Sequence, residues 1–112
     1  MDIQPINAGH VLVVPDEHAT RLADLPADTG ATMFRIAQRI AAALYESGLD
    51  CEGVNVFLAD GESAGQEVFH VHLHVIPRFD RDGFGLRFGP DYANVPDRET
   101  LEVTAERIRD VL

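Results

Sequence analysis

Between His70 and Arg78 the sequence reads HVHLHVIPR, with three imidazoles at every second position of an otherwise apolar segment. Successive side chains of a β-strand point to opposite faces, so a strand here puts Phe69, Val71, Leu73 and Val75 on one side and His70, His72 and His74 on the other. The first side is a core face. Three imidazoles in register are a poor way to fill a face that merely meets solvent, so the second side is read as functional. The segment therefore asks for a sheet whose apolar face is covered and whose other face is kept for chemistry.

The rest of the chain supplies partners for such a sheet. HVLVVP, His10 to Pro15, is a β-branched run closed by proline and reads as a strand. DEHATRLADLP follows as a polar loop with a helical turn. From about Asp28 to Ser47 the apolar residues Met33, Ile36, Ala37, Ile40, Ala41 and Leu44 recur at helical spacing, with Asp28 or Thr29 as a start cap and Gly48 as a stop. GVNVFLA, Gly53 to Ala59, reads as a second strand and Val68 to Ile76 as a third, joined through DGESAGQ as a hairpin. The stretch RFDRDGFGLRFGPDYANV is an irregular loop or a poor edge strand. Asp97 caps a C-terminal helix on which Leu101, Ala105, Ile108 and Leu112 share a face. Strand, helix, strand, strand, helix with close antiparallel pairing predicts an α+β fold, with the helices on one side of an antiparallel sheet.

At 112 residues the chain is expected to form a single domain, residues 1–112, long enough to bury roughly two-thirds of its unfolded surface. The start MDIQPINAGH has no basic and apolar leader pattern, and runs such as VLVVP are too short to cross a bilayer. With the single cysteine, Cys51, this predicts a cytoplasmic protein without disulfides or a membrane partner. Cys51 itself reads as a small residue near a helix end rather than a nucleophile. Nine arginines against nineteen acidic residues give a net charge of −10, with no basic stripe to hold a nucleic-acid polymer. A small phosphate-bearing ligand is still allowed, because local donors act within a screening length of about 8 Å.

Two chemistries suit the histidine face. The Cα atoms of His70 and His74 would lie roughly 13 Å apart along a strand, whereas Zn–N bonds are about 2.0 to 2.1 Å, so two of the three can share an ion easily and all three only under strain. His10 or His18 could complete such a two-histidine site. Catalysis uses the spacing better: a neutral imidazole attacks phosphorus at neutral pH and leaves well once phosphorylated. Neighbours about 6 to 7 Å away along the backbone can fix its tautomer and donate a proton to the departing group. The middle ring, His72, is then the natural nucleophile. Gly61-Glu-Ser-Ala-Gly-Gln66 leads into the strand with small residues, Gly65 among them, whose amides can turn toward an anion.

In these residues the chain resembles the histidine triad (HIT) superfamily of nucleotidyl hydrolases and transferases. Its motif, His, apolar, His, apolar, His, apolar, apolar, stands here as His70-Val71-His72-Leu73-His74-Val75-Ile76. The likeness extends through AGQEVFHVHLHVIPR and through the early stretch from Asp2 to His18, which follows the pattern DIxPxxxGHxLVxPxxH. The resemblance implies a HIT-like fold and a reaction in which His72 attacks the α-phosphate of a purine nucleotide, cleaving a P–N or P–O bond through a nucleotidyl-histidine. His70 and His10 would orient His72 and relay protons, and His74 and Gln66 would contact phosphoryl oxygens or the leaving group. Asp2 would hold the ribose hydroxyls and Ile3 would touch the base, while His18 reads as a structural loop histidine. The implied substrates are phosphoramidates, acyl-adenylates or dinucleoside polyphosphates, the implied assembly is a homodimer with a continuous sheet, and no cofactor or metal is called for.

Three departures from the family pattern stand out. Relatives usually carry a further N-terminal strand or two, sometimes with a zinc-binding cysteine pair, and the domain is expected to lack them. Ala59 stands where many relatives have an asparagine near the loop. Glu67 replaces a serine or threonine, and its carboxylate would either repel a phosphate or point away from it. Competing expectations are a nucleotide-binding or interaction protein with weak turnover, and a zinc protein using two strand histidines.

Overall fold

The computed structural model describes all of residues 1–112. Its order is β1 (Val11–Val13), α1 (Ala27–Glu46), β2 (Gly53–Phe57), β3 (Leu73–Arg78) and α2 (Arg98–Arg109), with short 3-10 turns at Leu22–Asp24, Glu62–Ala64 and Pro90–Ala93. β3 is the central strand, antiparallel to β1 on one side and to β2 on the other. The fold is α+β.

The alternation in the histidine segment sets the two faces. Val71, Leu73 and Val75 are buried and join Val13, Ala19 and the α1 residues Met33, Ala37 and Leu44 in one core. α1 lies over this face, with Ile40 and Ala41 packed at its edge. Ile36, expected on the same stripe, is exposed, because the stripe is narrower than the sequence spacing implies. Neither Asp28 nor Thr29 caps α1: the helix begins one turn position earlier, after Pro26, and Asp28 lies in the first turn, where its charge suits the helix dipole. The other end is as expected. The Ser47 hydroxyl donates to the Leu44 carbonyl at 2.7 Å, and Gly48 follows in the left-handed region at φ +76°.

β3 differs from its expected span, Val68 to Ile76, at both ends. It starts at Leu73 because β1 reaches no further than Val13, and the Val71 amide instead donates to the Ala19 carbonyl at 2.8 Å. Phe69, expected in the core, is therefore exposed. At the far end the strand continues through Pro77, opposite Val54 of β2. N–H and C=O of one strand residue face the same neighbour. The Pro77 carbonyl accepts from the buried Asn7 side chain at 2.8 Å, beyond the end of β1, so the missing proline N–H faces the same flank and breaks no ladder bond. The β2–β3 pairing is antiparallel as expected, but a long folded connection joins the strands rather than a tight turn.

α2 corrects a second expectation, that both helices cover the sheet. It is locally well specified: Asp97 accepts the Thr100 amide at 2.8 Å, Arg98 pairs with Glu102 at 2.7 Å, and Arg107 and Arg109 end it. Yet it packs against no other element, and Leu101, Ile108 and Leu112 are exposed. The segment between β3 and α2 is irregular, as its glycines and prolines predict. No helix is long and apolar enough to cross a membrane.

Candidate active site

The face of the sheet away from α1 is set by register. His74 stands opposite Leu12 of β1 and Phe57 of β2, so the three share that face across the whole sheet. His72 precedes β3 on the same face, its ring edge-on to His74 with centroids 4.8 Å apart. His10, directly before β1 and 1% exposed, brings Nε2 to 2.9 Å from His74 Nδ1. Asp2 is drawn in by its amide, which donates to the His10 carbonyl at 3.0 Å, and its Oδ2 lies 3.4 Å from His10 Nδ1. A cavity of about 670 Å³ opens here, and Asp2, Ile3, His10, Gly65, Glu67, His72 and His74 all line it. Seven of the nine residues singled out from the sequence thus meet around one space.

Hydrogen bonds fix the ring tautomers. His72 Nδ1 is 2.8 Å from the His70 carbonyl, which can only accept, so Nδ1 carries the proton and the neutral ring keeps its lone pair on Nε2. The Ile6 amide, which can only donate, lies 3.3 Å from His10 Nδ1. In the tautomer that accepts the Ile6 amide, in place of the one that would donate Nδ1–H to Asp2 Oδ2 at 3.4 Å, His10 Nε2–H donates to His74 Nδ1 and the hydrogen of His74 sits on Nε2. Burial holds both rings below the usual histidine range, for His74 with help from the neighbouring His72 and His10 and against the opposing pull of Asp2. Both are neutral at pH 7.

Two expected site residues are turned elsewhere. The His70 ring faces His18, Nδ1 to Nδ1 at 3.0 Å, while its Nε2 donates to the Pro15 carbonyl at 3.0 Å. It reaches His72 only through its main chain and has no ring proton to pass to it. Gln66 is 2% exposed: its Oε1 accepts the Gly61 amide at 2.8 Å and its Nε2 donates to the Thr20 carbonyl at 2.9 Å. Its carboxamide is thus committed to pinning the loop. Gly61 at φ +98° passes under Arg21, where a Cβ would come within 2.7 Å of the guanidinium.

Some contributors left no readable trace in the sequence. The Ile6 amide is a backbone group and carries no residue signal. Thr20, whose hydroxyl is 3.4 Å from His18 Nε2, sits in a loop with no periodicity. Asn7 is held by Pro77 and by Asp82, which also accepts twice from Arg78 while Arg78 reaches Asn55. Asp82 is kept ionised far below the usual carboxylate range, chiefly by Arg78.

Comparison with known proteins places this geometry among relatives. The chain is 41% identical over 90 residues to an uncharacterized HIT-like protein of Borreliella burgdorferi, covering 80% of this chain and 65% of that one. It is 37% identical over 78 residues to a bis(5'-adenosyl)-triphosphatase of Dictyostelium discoideum, covering 70% of this chain and 52% of that one. With the adenosine 5'-monophosphoramidase of Saccharomyces cerevisiae it shares 39% identity over 80 residues, 71% of this chain and 48% of that one. The chain therefore spans between about half and two-thirds of these relatives' lengths. Among solved structures, a HIT family protein from Bacillus anthracis superposes with a TM-score of 0.88 at 33% identity over 100% of this chain and 79% of that one. A zinc-bound histidine triad protein from Mycobacterium smegmatis gives 0.72 at 40% identity over the same shares. The pattern of the HIT domain matches residues 1–81, and the chain belongs to the HIT domain family.

Proposed function

We propose that this protein is a nucleotidyl hydrolase or transferase that cleaves a P–N or P–O bond at the α-phosphorus of a purine nucleotide, with His72 as nucleophile. The supporting observation is the tautomer of His72: the His70 carbonyl takes Nδ1–H and leaves the Nε2 lone pair in a cavity that also holds His74 and His10. Nε2 attacks phosphorus, a P–N bond to His72 forms, and the bond to the leaving group breaks in line with it. His74 Nε2–H faces the phosphoryl oxygens, where charge develops. The bound anionic phosphate favours the protonated His74–His10 pair, which gives its proton to the departing nitrogen or oxygen. Water then attacks the nucleotidyl-His72, returns a proton to the pair and frees the ring. Asp2 and Ile3 bound the nucleoside end, and the Gly65 main chain borders the phosphate. Two relatives named for nucleotide hydrolysis are consistent with this chemistry.

Incubation with an adenosine phosphoramidate followed by quenching in base is expected to add one nucleotidyl mass to the protein and none to His72→Ala. Binding without an adduct on the unaltered protein overturns the hydrolase reading in favour of a non-catalytic nucleotide binder.

A second reading, compatible with the first, concerns His18 and His70. Two imidazoles on a tetrahedral zinc with Zn–N of about 2.0 to 2.1 Å hold their nitrogens about 3.3 Å apart, and here the Nδ1 atoms are 3.0 Å apart. Each ring has an outer partner on Nε2, Pro15 or Thr20, of the kind that orients metal-bound histidines. The residues fit half of a structural zinc site that would pin the β1 loop to the approach of β3, away from the reacting atoms. Zinc bound by the purified protein and lost in His18→Ala, measured by elemental analysis, supports it; equal zinc in both overturns it.

A further inference from the structure

The charge around the cavity selects among the substrates that the proposed reaction allows. Asp2 and Glu67 are the only lining residues with a permanent charge, and no arginine lines the space. Arg78 is occupied by Asp82 and Asn55, and Arg21 lies over Gly61. His10 is buried and His74 half-buried, and desolvation holds both rings below the usual histidine range. A polyphosphate leaving group would therefore depart past carboxylates with no arginine side chain lining its path.

The two carboxylates have different surroundings. Asp2 accepts the Gln4 amide at 2.9 Å and lies against His10, at the end of the cavity that also carries Ile3. Glu67 is exposed and takes part in none of the molecule's ion pairs, which join His10 to Asp2, Arg78 to Asp82, Arg81 to Asp80 and Arg98 to Glu102. Its backbone is nonetheless held, because it directly follows the buried, doubly bonded Gln66. The result is a carboxylate outside every ion pair, on an anchored backbone, lining the same cavity as His72.

We propose that Glu67 is a specificity-determining residue that selects leaving groups bearing a positive charge, so that the preferred substrates are purine nucleoside 5'-phosphoramidates of amines carrying a second, protonated amino or guanidino group. The inference rests on the reading of His72 as nucleophile. In the step it favours, His72 Nε2 bonds to phosphorus, the P–N bond to the amine breaks, and the amine nitrogen leaves with the bonding pair and takes the proton from the His74–His10 pair. The distal cation of the amine stays beside the Glu67 carboxylate throughout.

The test compares three adenosine phosphoramidates of matched length, made from a diaminoalkane, the corresponding alkylamine and the corresponding ω-amino acid. The ratio of kcat/KM between cationic and anionic leaving groups is expected to be about tenfold or more at low salt and to shrink as salt screens the pair. Glu67→Gln brings the ratio close to one, and Glu67→Arg reverses it. Because the readout is a ratio, a uniform loss of activity in either variant does not obscure it. A Glu67→Gln variant that keeps the full preference overturns the proposal, as does an unaltered protein that forms its His72 adduct with all three at equal rates. Failure of all three to label His72 overturns the reaction itself, and the selectivity with it.

Discussion

At the scale of single residues, His72 owes its tautomer to a peptide carbonyl, and His74 owes its own to a relay that begins at the Ile6 amide. The histidine motif announces the rings. It does not announce which nitrogen of each is free, because that depends on main-chain groups common to every residue. Burial of His10 and His74 also makes acid sensitivity a property of the site. Their folded values lie below the ordinary 6.5, so the unfolded chain binds these protons first. Their burial therefore costs no stability well above 6.5 and progressively more as pH falls from there toward the folded values. Asp82 acts at lower pH: the stability from its depressed carboxyl is complete above 3.8 and is lost as pH falls below it. Urea midpoints measured against pH should thus decline gently as pH falls through about 6.5, then steeply below about pH 4. The gentle phase should be cut to less than half in His10→Asn/His74→Asn, and the steep one weakened in Asp82→Asn. A full gentle phase in the double histidine variant contradicts this account.

At the scale of elements, the segment leading from Gly61 into β3 shows what sequence does and does not disclose. The period-two pattern correctly separated Val71, Leu73 and Val75 from His72 and His74. The start of β3 was not legible, because it depends on where β1 stops and on the Ala19 carbonyl capturing the Val71 amide, both contacts far away in sequence. The orientation of Gln66 was equally hidden: a carboxamide suits a phosphate or two backbone groups alike. Its bonds to Gly61 and Thr20 make it the pin between two loops. Gln66→Leu, which leaves both partners unsatisfied, should lower stability by roughly 1–3 kcal/mol and reduce kcat/KM through a displaced loop. Unfolding by urea beside steady-state kinetics checks both, and an unchanged midpoint removes Gln66 from the scaffold. The helix stripe over Met33, Ala37 and Leu44 was readable for a related reason: a long amphipathic period reports its own buried side.

For the molecule as a whole, the free C-terminal arm decides the shape. The radius of gyration is 16.9 Å, whereas a compact chain of this length would have about 13 Å. Periodicity put Leu101, Ala105, Ile108 and Leu112 on one face; α2 ends at Arg109, which leaves Leu112 outside it, and no element of the same chain covers the other three. We propose that a second copy covers this face, as a contact beyond the continuous sheet of the homodimer that the family resemblance implies. Sedimentation should then give twice the 12.3 kDa chain mass, and Leu101→Asp/Ile108→Asp should shift the protein toward monomer without moving the urea midpoint of the sheet and α1. A double variant that stays dimeric locates the interface elsewhere. With a net charge of −10 on each copy, association should tighten as salt is added. The stretch between Phe84 and α2, which packs against no strand or helix, also carries the exposed Arg87, in a chain with no lysine. Trypsin meets few easier targets than an arginine in loose backbone. The rate at which it clips an isolated copy there, set against the rate in concentrated solution, would record how long the arm spends sheltered.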